Sequence, residues 1–217
     1  MAKRKLAHRS KGLFIAFEGG EGAGKSTQRK RLVSALKRRG FEVVLTREPG
    51  GTVIGKKIRA LVLHPKYKEM NSRAELMLYE ADRSQNFREK ILPALAEGKV
   101  VISDRSMHSS TVYQGYCRGL KETDIEWLNA FATFDRSPDV VLLLDIPVAV
   151  SQRRLKVRRR LDRFEREKAA FHEKVRRGFL KLARKHQKQF CVVDATQTPD
   201  EVFADIEAAV LKKLGAK

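Results

Sequence analysis

Five short apolar runs along the chain have the composition of strands that are buried on both faces. They cover residues 13–17, 43–46, 100–103, 140–144 and 190–193. The segments between them carry apolar residues at helical spacing, over about 27–39, 54–63, 72–97, 122–134, 148–158, 165–188 and 199–214. Strands that alternate with helices predict an α/β fold, in which a five-stranded parallel sheet has helices on both faces.

Residues with useful chemistry follow the first four apolar runs directly. They are the segments 19–26 and 47–51, the pair Asp104 and Arg105, and Asp145. In open parallel sheets, ligands bind beyond the carboxyl ends of the strands. We therefore expect one edge of the sheet to hold the functional site.

The segment after the first run matches the phosphate-binding pattern G-x-x-x-x-G-K-[ST] in full. It consists of Gly19, Gly20, Glu21, Gly22, Ala23, Gly24, Lys25 and Ser26, and Thr27 opens the helix that follows. Backbone N–H groups of such a loop bind phosphate oxygens, and the helix N-terminus adds partial positive charge. Lys25 reaches the β- and γ-phosphates of a nucleoside triphosphate, and the Ser26 hydroxyl ligates Mg²⁺. The order of strand, loop and helix argues against a chance glycine-rich turn.

Three charged residues at the ends of neighbouring runs are candidates for the same site. Asp104 is placed to hold Mg²⁺ or one of its waters, and its structural alternative is an N-cap for the next turn. Arg105 can bind a second phosphate through two N–H groups. Proline and paired glycines form a tight loop after Arg47 that directs it to the same edge, although an ordinary surface arginine remains the alternative.

The presence of the phosphate loop favours a functional interpretation of two further patterns. Tyr79 and Arg83 are four residues apart, so they share a helix face. Together they could bind a flat base that carries a carbonyl. Core packing is the default interpretation of such a tyrosine. The stretch 153–165 is the most basic of the chain. We interpret it as a mobile lid, at about 152–165, whose arginines stabilise charge during phosphoryl transfer, over the alternative of a solvated basic helix.

Composition sets the wider limits. The 217 residues carry a formal net charge of +20, spread over tail, helices and loops. We interpret this as a solvated basic surface that attracts nucleic acid nonspecifically, over a dedicated nucleic-acid site. We expect residues 1–11 to be a disordered basic tail and residues 12–217 to form a single domain. The two cysteines lack metal-ligand spacing and predict free thiols in a cytoplasmic protein, and no apolar run approaches the ~20 residues of a membrane span.

Taken together, these motifs resemble the thymidylate kinase family of nucleoside monophosphate kinases. The resemblance runs from residue 13 to about 208, and its most specific parts are the Arg-Glu-Pro-Gly-Gly-Thr segment at 47–52 and the Leu-Asp-Arg end of the lid at 161–163. Further marks are Asp104-Arg105, Tyr113-Gln114-Gly115 and Asp194-Ala195-Thr196. The resemblance implies the P-loop kinase fold and transfer of the ATP γ-phosphate to dTMP, giving dTDP for DNA precursors, with Mg²⁺ as cofactor.

The resemblance also assigns roles to residues. Lys25 and Ser26 hold the ATP phosphates and Mg²⁺, and Ala195 and Gln197 border the adenine. In the acceptor site, Glu21 faces the 3′-hydroxyl, Arg47 and Arg105 bind the dTMP phosphate, Tyr79 stacks on thymine, and Arg83 bonds its carbonyl. Ser110 meets the base, while Tyr113 crowds the 2′ position beside Gln114. Arg154, Arg158 and Arg163 are the lid arginines, and Lys25 and Arg105 complete the catalytic set.

The phosphate loop contains no arginine while the lid is rich in it, so the chain resembles the family pattern in which the lid supplies the catalytic charge. It departs from the family in Tyr79, where phenylalanine is commoner, in Lys156, and in the segment 106–109. The resemblance implies a homodimer formed through helices, for which 54–63, 72–97 and 106–120 are candidates. Two other functions stay open: a kinase for dUMP or a modified pyrimidine nucleotide, and a noncatalytic nucleic-acid-binding protein.

Overall fold

The chain folds around a parallel sheet of five strands. The computed structural model describes residues 12–155 and 162–215, so the predicted tail 1–11 lies outside the described residues. The strands are β1 (Leu13–Glu18), β2 (Val43–Arg47), β3 (Val100–Asp104), β4 (Val140–Asp145) and β5 (Phe190–Asp194), in the spatial order β2-β3-β1-β4-β5. The predicted fold class is confirmed.

Helices connect these strands. They are α1 (Lys25–Arg38), α2 (Val53–Val62), α3 (Ser72–Asn86), α4 (Leu92–Ala96), α5 (Met107–Ser110), α6 (Glu122–Thr133), α7 (Val148–Leu155), α8 (Ala169–Lys185) and α9 (Pro199–Leu214). Two π-helical segments, Phe87–Ile91 and Thr111–Cys117, join α3 to α4 and extend α5. The helix expected over 72–97 is present, because residues 72–96 are helical without a break, but a π-helical turn lies between α3 and α4.

Two other helix boundaries differ from expectation. The helix expected from residue 165 begins only at Ala169, because the Asp162 carboxylate accepts the N–H groups of Phe164 and Glu165, each at 2.9 Å, and folds that segment into a turn. Helix α7 is described as far as Leu155, and the rest of its expected range lies outside the described residues.

Alternate residues of the central strand enter cores on opposite faces of the sheet. Ile15 packs with the apolar sides of α1 and α9, whereas Phe14 packs with the π-helical segment Phe87–Ile91 and α4. On the second face, β4 also packs against α8 and the segment Thr111–Cys117. A strand covered on both faces explains why its sequence reads as a continuous apolar run.

Each strand extends one residue beyond its apolar run, and that residue is charged in every case. These residues are Glu18, Arg47, Asp104, Asp145 and Asp194. The ladder places Asp104 opposite both Phe17 of β1 and Arg47 of β2. The carboxyl ends of the strands therefore bring several charged side chains to one edge of the sheet.

Candidate active site

The phosphate loop connects β1 to α1. Lys25 crosses this loop, and its Nζ atom donates to the carbonyl oxygens of Gly19 at 2.8 Å and Gly20 at 2.6 Å. Burial, with help from the nearby cation of Arg105, lowers the pKa of Lys25 to about 8. Gly19 has φ of 128°, and a Cβ there would lie 2.5 Å from the Leu144 carbonyl oxygen. This position therefore favours glycine on both conformational and steric grounds.

The end of β3 carries Asp104 and Arg105 into the same region. The Oδ2 atom of Asp104 lies 2.7 Å from Nη1 of Arg29, which projects from α1. Arg105 has a left-handed backbone with φ of 70°. Its Nη2 pairs with the Glu21 carboxylate, and its Nη1 donates to the Gly19 carbonyl at 3.2 Å. Arg105 thus joins the residue after β3 to the phosphate loop.

Glu18, at the end of β1, is fully buried beneath this junction. Its carboxylate accepts the N–H groups of Ser106 at 2.9 Å and Ser109 at 3.2 Å, together with the Ser109 hydroxyl at 2.7 Å. Burial raises the pKa of Glu18 to about 7, and Arg105, 3.9 Å away, opposes that rise. Glu18 fixes the backbone that immediately follows Arg105.

The loop after β2 is anchored by buried side chains of α3. Glu48 accepts from Nε of Arg83 at 2.8 Å and from the Asn86 amide at 3.3 Å. Asp82 accepts the N–H of Gly50 at 2.8 Å. Burial raises the pKa of Glu48 to about 7. These bonds hold the loop so that the exposed side chain of Arg47 lines the cleft.

Arg83 is buried with only 1% of its side chain exposed, yet it lines the cleft. Its Nε atom is taken by Glu48, while Nη1 donates to Glu80, to Ser110 at 3.1 Å and to Asn129 at 2.9 Å. Among the described residues, these bonds leave Nη2 as the part of the guanidinium free to meet a ligand. A guanidinium held in this way presents a fixed donor.

An aromatic wall stands beside Arg83. The ring of Phe164 lies 5.4 Å from that of Tyr113 and 6.4 Å from that of Tyr79. The Arg105 guanidinium lies 5.2 Å from the Tyr113 ring centroid. Burial raises the pKa of both tyrosine hydroxyls above its ordinary value, so both stay neutral at physiological pH.

A single cleft of about 320 Å³ collects most of the candidate residues. Those that line it are Glu21, Gly22, Ala23, Gly24, Lys25, Ser26, Thr27, Arg47, Tyr79, Arg83, Asp104, Arg105, Tyr113 and Arg154. Gly19 and Gly20 lie on the opposite side of the phosphate loop, next to β4. The cleft brings together both the expected triphosphate site and most of the expected acceptor site.

The remaining candidates lie outside the lining of the cleft. Ser110 is buried behind Arg83, and the Gln114 amide donates to Glu75 at 2.7 Å. Gln197 bonds to the Asp194 carbonyl at 3.2 Å, on the loop that follows β5. In that loop, the Ala195 carbonyl accepts from Nη2 of Arg154 at 3.2 Å.

The lid arginines are divided in the structure. Arg154 lines the cleft and also donates to the Gly22 carbonyl at 3.4 Å. Arg163 is instead 7% exposed and pairs with the buried Glu75, so the structure does not bring it into the cleft. Arg158 lies outside the described residues.

Several cleft residues were missed by sequence reasoning. They are Arg59, Leu63, Ser109, Asp162, Phe164 and Glu165. Arg59 on α2 donates to the Pro49 carbonyl at 3.0 Å and places a cation near Arg47. Its sequence context has no signal beyond helical spacing. Phe164, by contrast, directly follows the Leu-Asp-Arg motif.

Ser26 and Asp104 both line the cleft and suit Mg²⁺. Mg²⁺ prefers oxygen ligands, and it is usually held by one or two carboxylates plus substrate phosphates rather than by a full protein cage. A hydroxyl and one carboxylate beside a phosphate loop fit that donor set.

Comparison with known proteins then decides the family. A family model described as thymidylate kinase matches residues 17–206. The chain belongs to the thymidylate kinase family. This family phosphorylates dTMP to dTDP.

Individual thymidylate kinases are similar over nearly their whole length. The one from Desulforapulum autotrophicum is 46% identical over 210 residues, covering 94% of this chain and 92% of the relative. The one from a Geobacillus species is 43% identical over 206 residues, covering 94% and 98%. A crystal structure of thymidylate kinase from Ehrlichia chaffeensis has a TM-score of 0.74 at 31% identity, covering 92% of this chain and 98% of that one.

Proposed function

We propose that the cleft transfers the γ-phosphate of ATP to dTMP, giving ADP and dTDP. The observation that carries this is the shared cleft: a triphosphate-binding loop and an aromatic, arginine-lined acceptor wall face the same space. Neither half alone would specify a nucleoside monophosphate kinase. Membership of the thymidylate kinase family supports the choice of dTMP as acceptor.

At the donor end, Lys25 and the N-terminus of α1 would bind the ATP phosphates. In the structure Lys25 bonds to two loop carbonyls, and exchanging these for phosphate oxygens would place its charge on the β- and γ-phosphates. Ser26 and Asp104 are the residues that would hold Mg²⁺, which when bound neutralises developing charge on the phosphates. We assign the adenine to the loop that contains Ala195 and Gln197.

At the acceptor end, Arg47 and Arg105 would bind the dTMP phosphate. Arg59 adds a third cation to this end of the cleft. Glu21 pairs with Arg105, so it both orients that guanidinium and lies where it could accept from the 3′-hydroxyl. These contacts would position the acceptor oxygen in line with the γ-phosphate.

The base would lie between Tyr79 and the fixed donor of Arg83. Tyr79 offers a ring face for stacking, and Nη2 of Arg83 offers a hydrogen bond to a thymine carbonyl. Ser110 would act through Arg83, to which it is bonded. Tyr113 would crowd the sugar, and Gln114 would support that wall from behind.

Catalysis at such a site needs positioning and charge rather than a strong base. The acceptor phosphate oxygen is already ionised at neutral pH, and the transferred group spreads negative charge over its oxygens. Lys25, Arg105 and Arg154 all line the cleft and would stabilise that charge. Arg158 completes the proposed lid set from outside the described residues, and Arg163 would have to leave Glu75 to join it.

We also propose that two copies of the chain associate through α2 and α3, as the sequence suggested, and through α6 in place of the expected segment 106–120. Helix α3 packs between the other two. Large apolar side chains are exposed on all three: Val53 and Ile54 on α2, Met77 on α3, and Trp127 and Phe131 on α6. The Trp127 and Phe131 rings stack with centroids 5.7 Å apart. Exposed apolar patches of this kind are typical of protein interfaces.

We further propose that the protein works in the cytoplasm. The cysteines Cys117 and Cys191 are free thiols, which suits the cytoplasm. No helix in the described ranges is long and apolar enough to cross a membrane. The net charge of +20 supports a salt-dependent, nonspecific attraction to nucleic acid.

The function is tested by offering dTMP, dUMP, dCMP, dGMP and dAMP separately with ATP and Mg²⁺, and measuring ADP formation. We expect fast turnover with dTMP, weaker turnover with dUMP and little with the others. Folded protein that binds ATP but shows no acceptor-dependent turnover would contradict the proposal. Faster turnover with dUMP than with dTMP would instead assign the pocket to another pyrimidine.

A further inference from the structure

The segment 162–167, which includes the C-terminal end of the lid, is anchored on the helices that carry the acceptor pocket. The backbone N–H of Arg163 donates to the Leu63 carbonyl at 3.1 Å, and its Nε donates to the Val62 carbonyl at 3.1 Å. Its Nη2 pairs with Glu75 of α3. Arg163 therefore bonds to two helices at once and is almost completely buried.

Glu75 joins three separate segments. Its side chain is 1% exposed and lies one helical turn before Tyr79. Besides Arg163, it accepts from the Gln114 amide at 2.7 Å, and its Oε1 lies 3.8 Å from Nε of Arg118. A buried carboxylate is stable only with such partners, and its removal leaves the paired cation uncompensated. Glu75 thus couples the lid to the wall that contains Tyr113 and Gln114.

Phe164 transmits this anchoring to the cleft. It follows Arg163 directly, is 5% exposed, and lines the cleft together with Tyr79 and Tyr113. The Arg163 guanidinium lies 4.7 Å from the Phe164 ring centroid. A residue of the lid therefore forms part of the acceptor pocket, and its place depends on the Arg163 side chain that Glu75 holds.

We propose that Glu75 is a positioning residue for acceptor binding. It holds Arg163 and Gln114, and thereby seats Phe164 against Tyr79 and Tyr113. Arg163 serves this anchor and not the phosphoryl group. Glu75 does not line the cleft, so it acts through Phe164. The inference rests on the proposed function, because it takes the aromatic pocket to be the site of the nucleotide acceptor.

The test compares Glu75→Gln with the wild-type enzyme in steady-state kinetics. Glutamine keeps the size of the side chain but removes the charge that pairs with Arg163. We expect the KM for dTMP to rise about tenfold, because small displacements of positioning groups are costly, while the KM for ATP changes less than about twofold. Glu207→Gln is the matched control: Glu207 on α9 pairs with Arg39 at 3.4 Å and does not line the cleft, so both KM values should be unchanged. Equal rises in both KM values for Glu75→Gln would overturn the proposal.

A double-mutant cycle with Phe164→Leu tests the route of the effect. If Glu75 acts through Phe164, the double variant should have about the same KM for dTMP as Phe164→Leu alone. Fully additive effects would mean that the two residues act independently, and the proposal would be wrong. If Glu75→Gln does not fold, Arg163→Lys takes its place, because it keeps a cation beside Glu75 but loses the guanidinium bond to the Val62 carbonyl of α2.

Amide hydrogen exchange separates this proposal from the proposed function. Exchange in residues 162–167 should be faster in Glu75→Gln than in the wild type, with exchange in β1 and β4 unchanged. Unchanged exchange at 162–167 would contradict the anchor whatever the substrate is. A wild-type enzyme that shows the anchor but does not phosphorylate dTMP would instead refute the function alone.

Discussion

Arg29 of α1 and Asp104 at the end of β3 form an ion pair, with 2.7 Å between Nη1 and Oδ2. This pair fixes the only acidic side chain among the described residues that we assign to the metal. Under the proposed function, Asp104 would share its carboxylate between the guanidinium and the Mg²⁺ that accompanies ATP. The metal requirement of the enzyme should therefore depend strongly on this residue.

Replacing Asp104 by asparagine should lower kcat about 10–100-fold, since removing one preorganised electrostatic group from a transition state costs this much or more. The Mg²⁺ concentration for half-maximal rate should rise in the same variant. Both quantities come from a MgCl₂ titration at saturating ATP and dTMP. Asp145→Asn is the control, because Asp145 ends β4 at the same edge of the sheet but pairs with Arg176 outside the cleft. An unchanged Mg²⁺ requirement in Asp104→Asn would remove Asp104 from the metal site.

Lys25→Ala should nearly abolish turnover while leaving the protein folded. The wild-type enzyme should also lose ATP affinity as pH rises through about 8, where Lys25 loses its proton in the free protein. Titration of ATP binding by calorimetry across this range measures the effect. In Lys25→Arg the cation persists at high pH, so the pH dependence should flatten even where affinity is lower. Near-normal turnover by a folded Lys25→Ala protein would refute the loop assignment.

The buried carboxyl of Glu18 should make stability depend on pH. Its pKa rises from an ordinary 4.5 to about 7 on folding, so the folded state binds the proton more tightly than the unfolded state. This contribution is complete below pH 4.5 and is lost as pH rises through about 7. Relative to Glu18→Gln, the wild type should lose up to about 3 kcal/mol of unfolding free energy over that range.

Denaturant unfolding of wild type and Glu18→Gln at matched pH values measures this difference. Glu48 has a similarly raised pKa, but it is present in both proteins and cancels. A difference in stability that does not vary between pH 4.5 and 7 would show that Glu18 ionises normally in the folded state.

Removing the guanidinium of Arg105 should affect the acceptor more than the donor. In Arg105→Gln we expect the KM for dTMP to rise about 10–100-fold, because a charge-assisted contact with its phosphate is lost, with a smaller change for ATP. Arg31→Gln is a suitable control, since Arg31 pairs with Asp200 on the surface. A loss confined to ATP binding would mean that Arg105 belongs to the donor site.

The exposed rings of α6 give a test of assembly. Trp127→Glu should convert the proposed dimer to monomers, because a carboxylate placed in an apolar interface loses its hydration. Light scattering after size-exclusion chromatography gives the mass directly. Glu126→Gln, on the neighbouring helix position, should leave the dimer intact. A wild-type protein that is monomeric at all concentrations would end the dimer proposal.

The fold could be predicted because each strand consists mainly of apolar residues. The last residue of each strand was missed because it is charged. Glu18, Asp104 and Asp145 continue the hydrogen-bonded ladder, but their charge interrupts the apolar pattern that marked the strand. The π-helical turn at Phe87–Ile91 also has no pattern of its own, since its apolar residues fit an α-helix equally well. The local sequence pattern therefore predicts the location of a helix or strand more reliably than it predicts the exact end of that element or a π-helical turn within it.

The site residues also divide into those that a local motif places and those whose position depends on contacts with distant parts of the chain. Lys25 and Asp104 are fixed by motif and strand position, so the sequence places them correctly at the cleft. The direction of Arg163 could not be read from a run of arginines, because it depends on Glu75, which is 88 residues earlier in the chain. Phe164 was overlooked because its position also depends on distant residues. The sequence around it, which is rich in cations, does not show which aromatic ring it packs against.

Arg83 is held in one orientation, and this limits which bases can bind in the pocket. Its Nε and Nη1 hydrogens are committed to four neighbours, so the guanidinium cannot rotate to suit a different partner. A cytosine amino group set against it would face one donor with another, and neither could turn away. Under the proposed function, this buried network would exclude the wrong base through hydrogen bonds that the protein forms within itself, before any nucleotide binds.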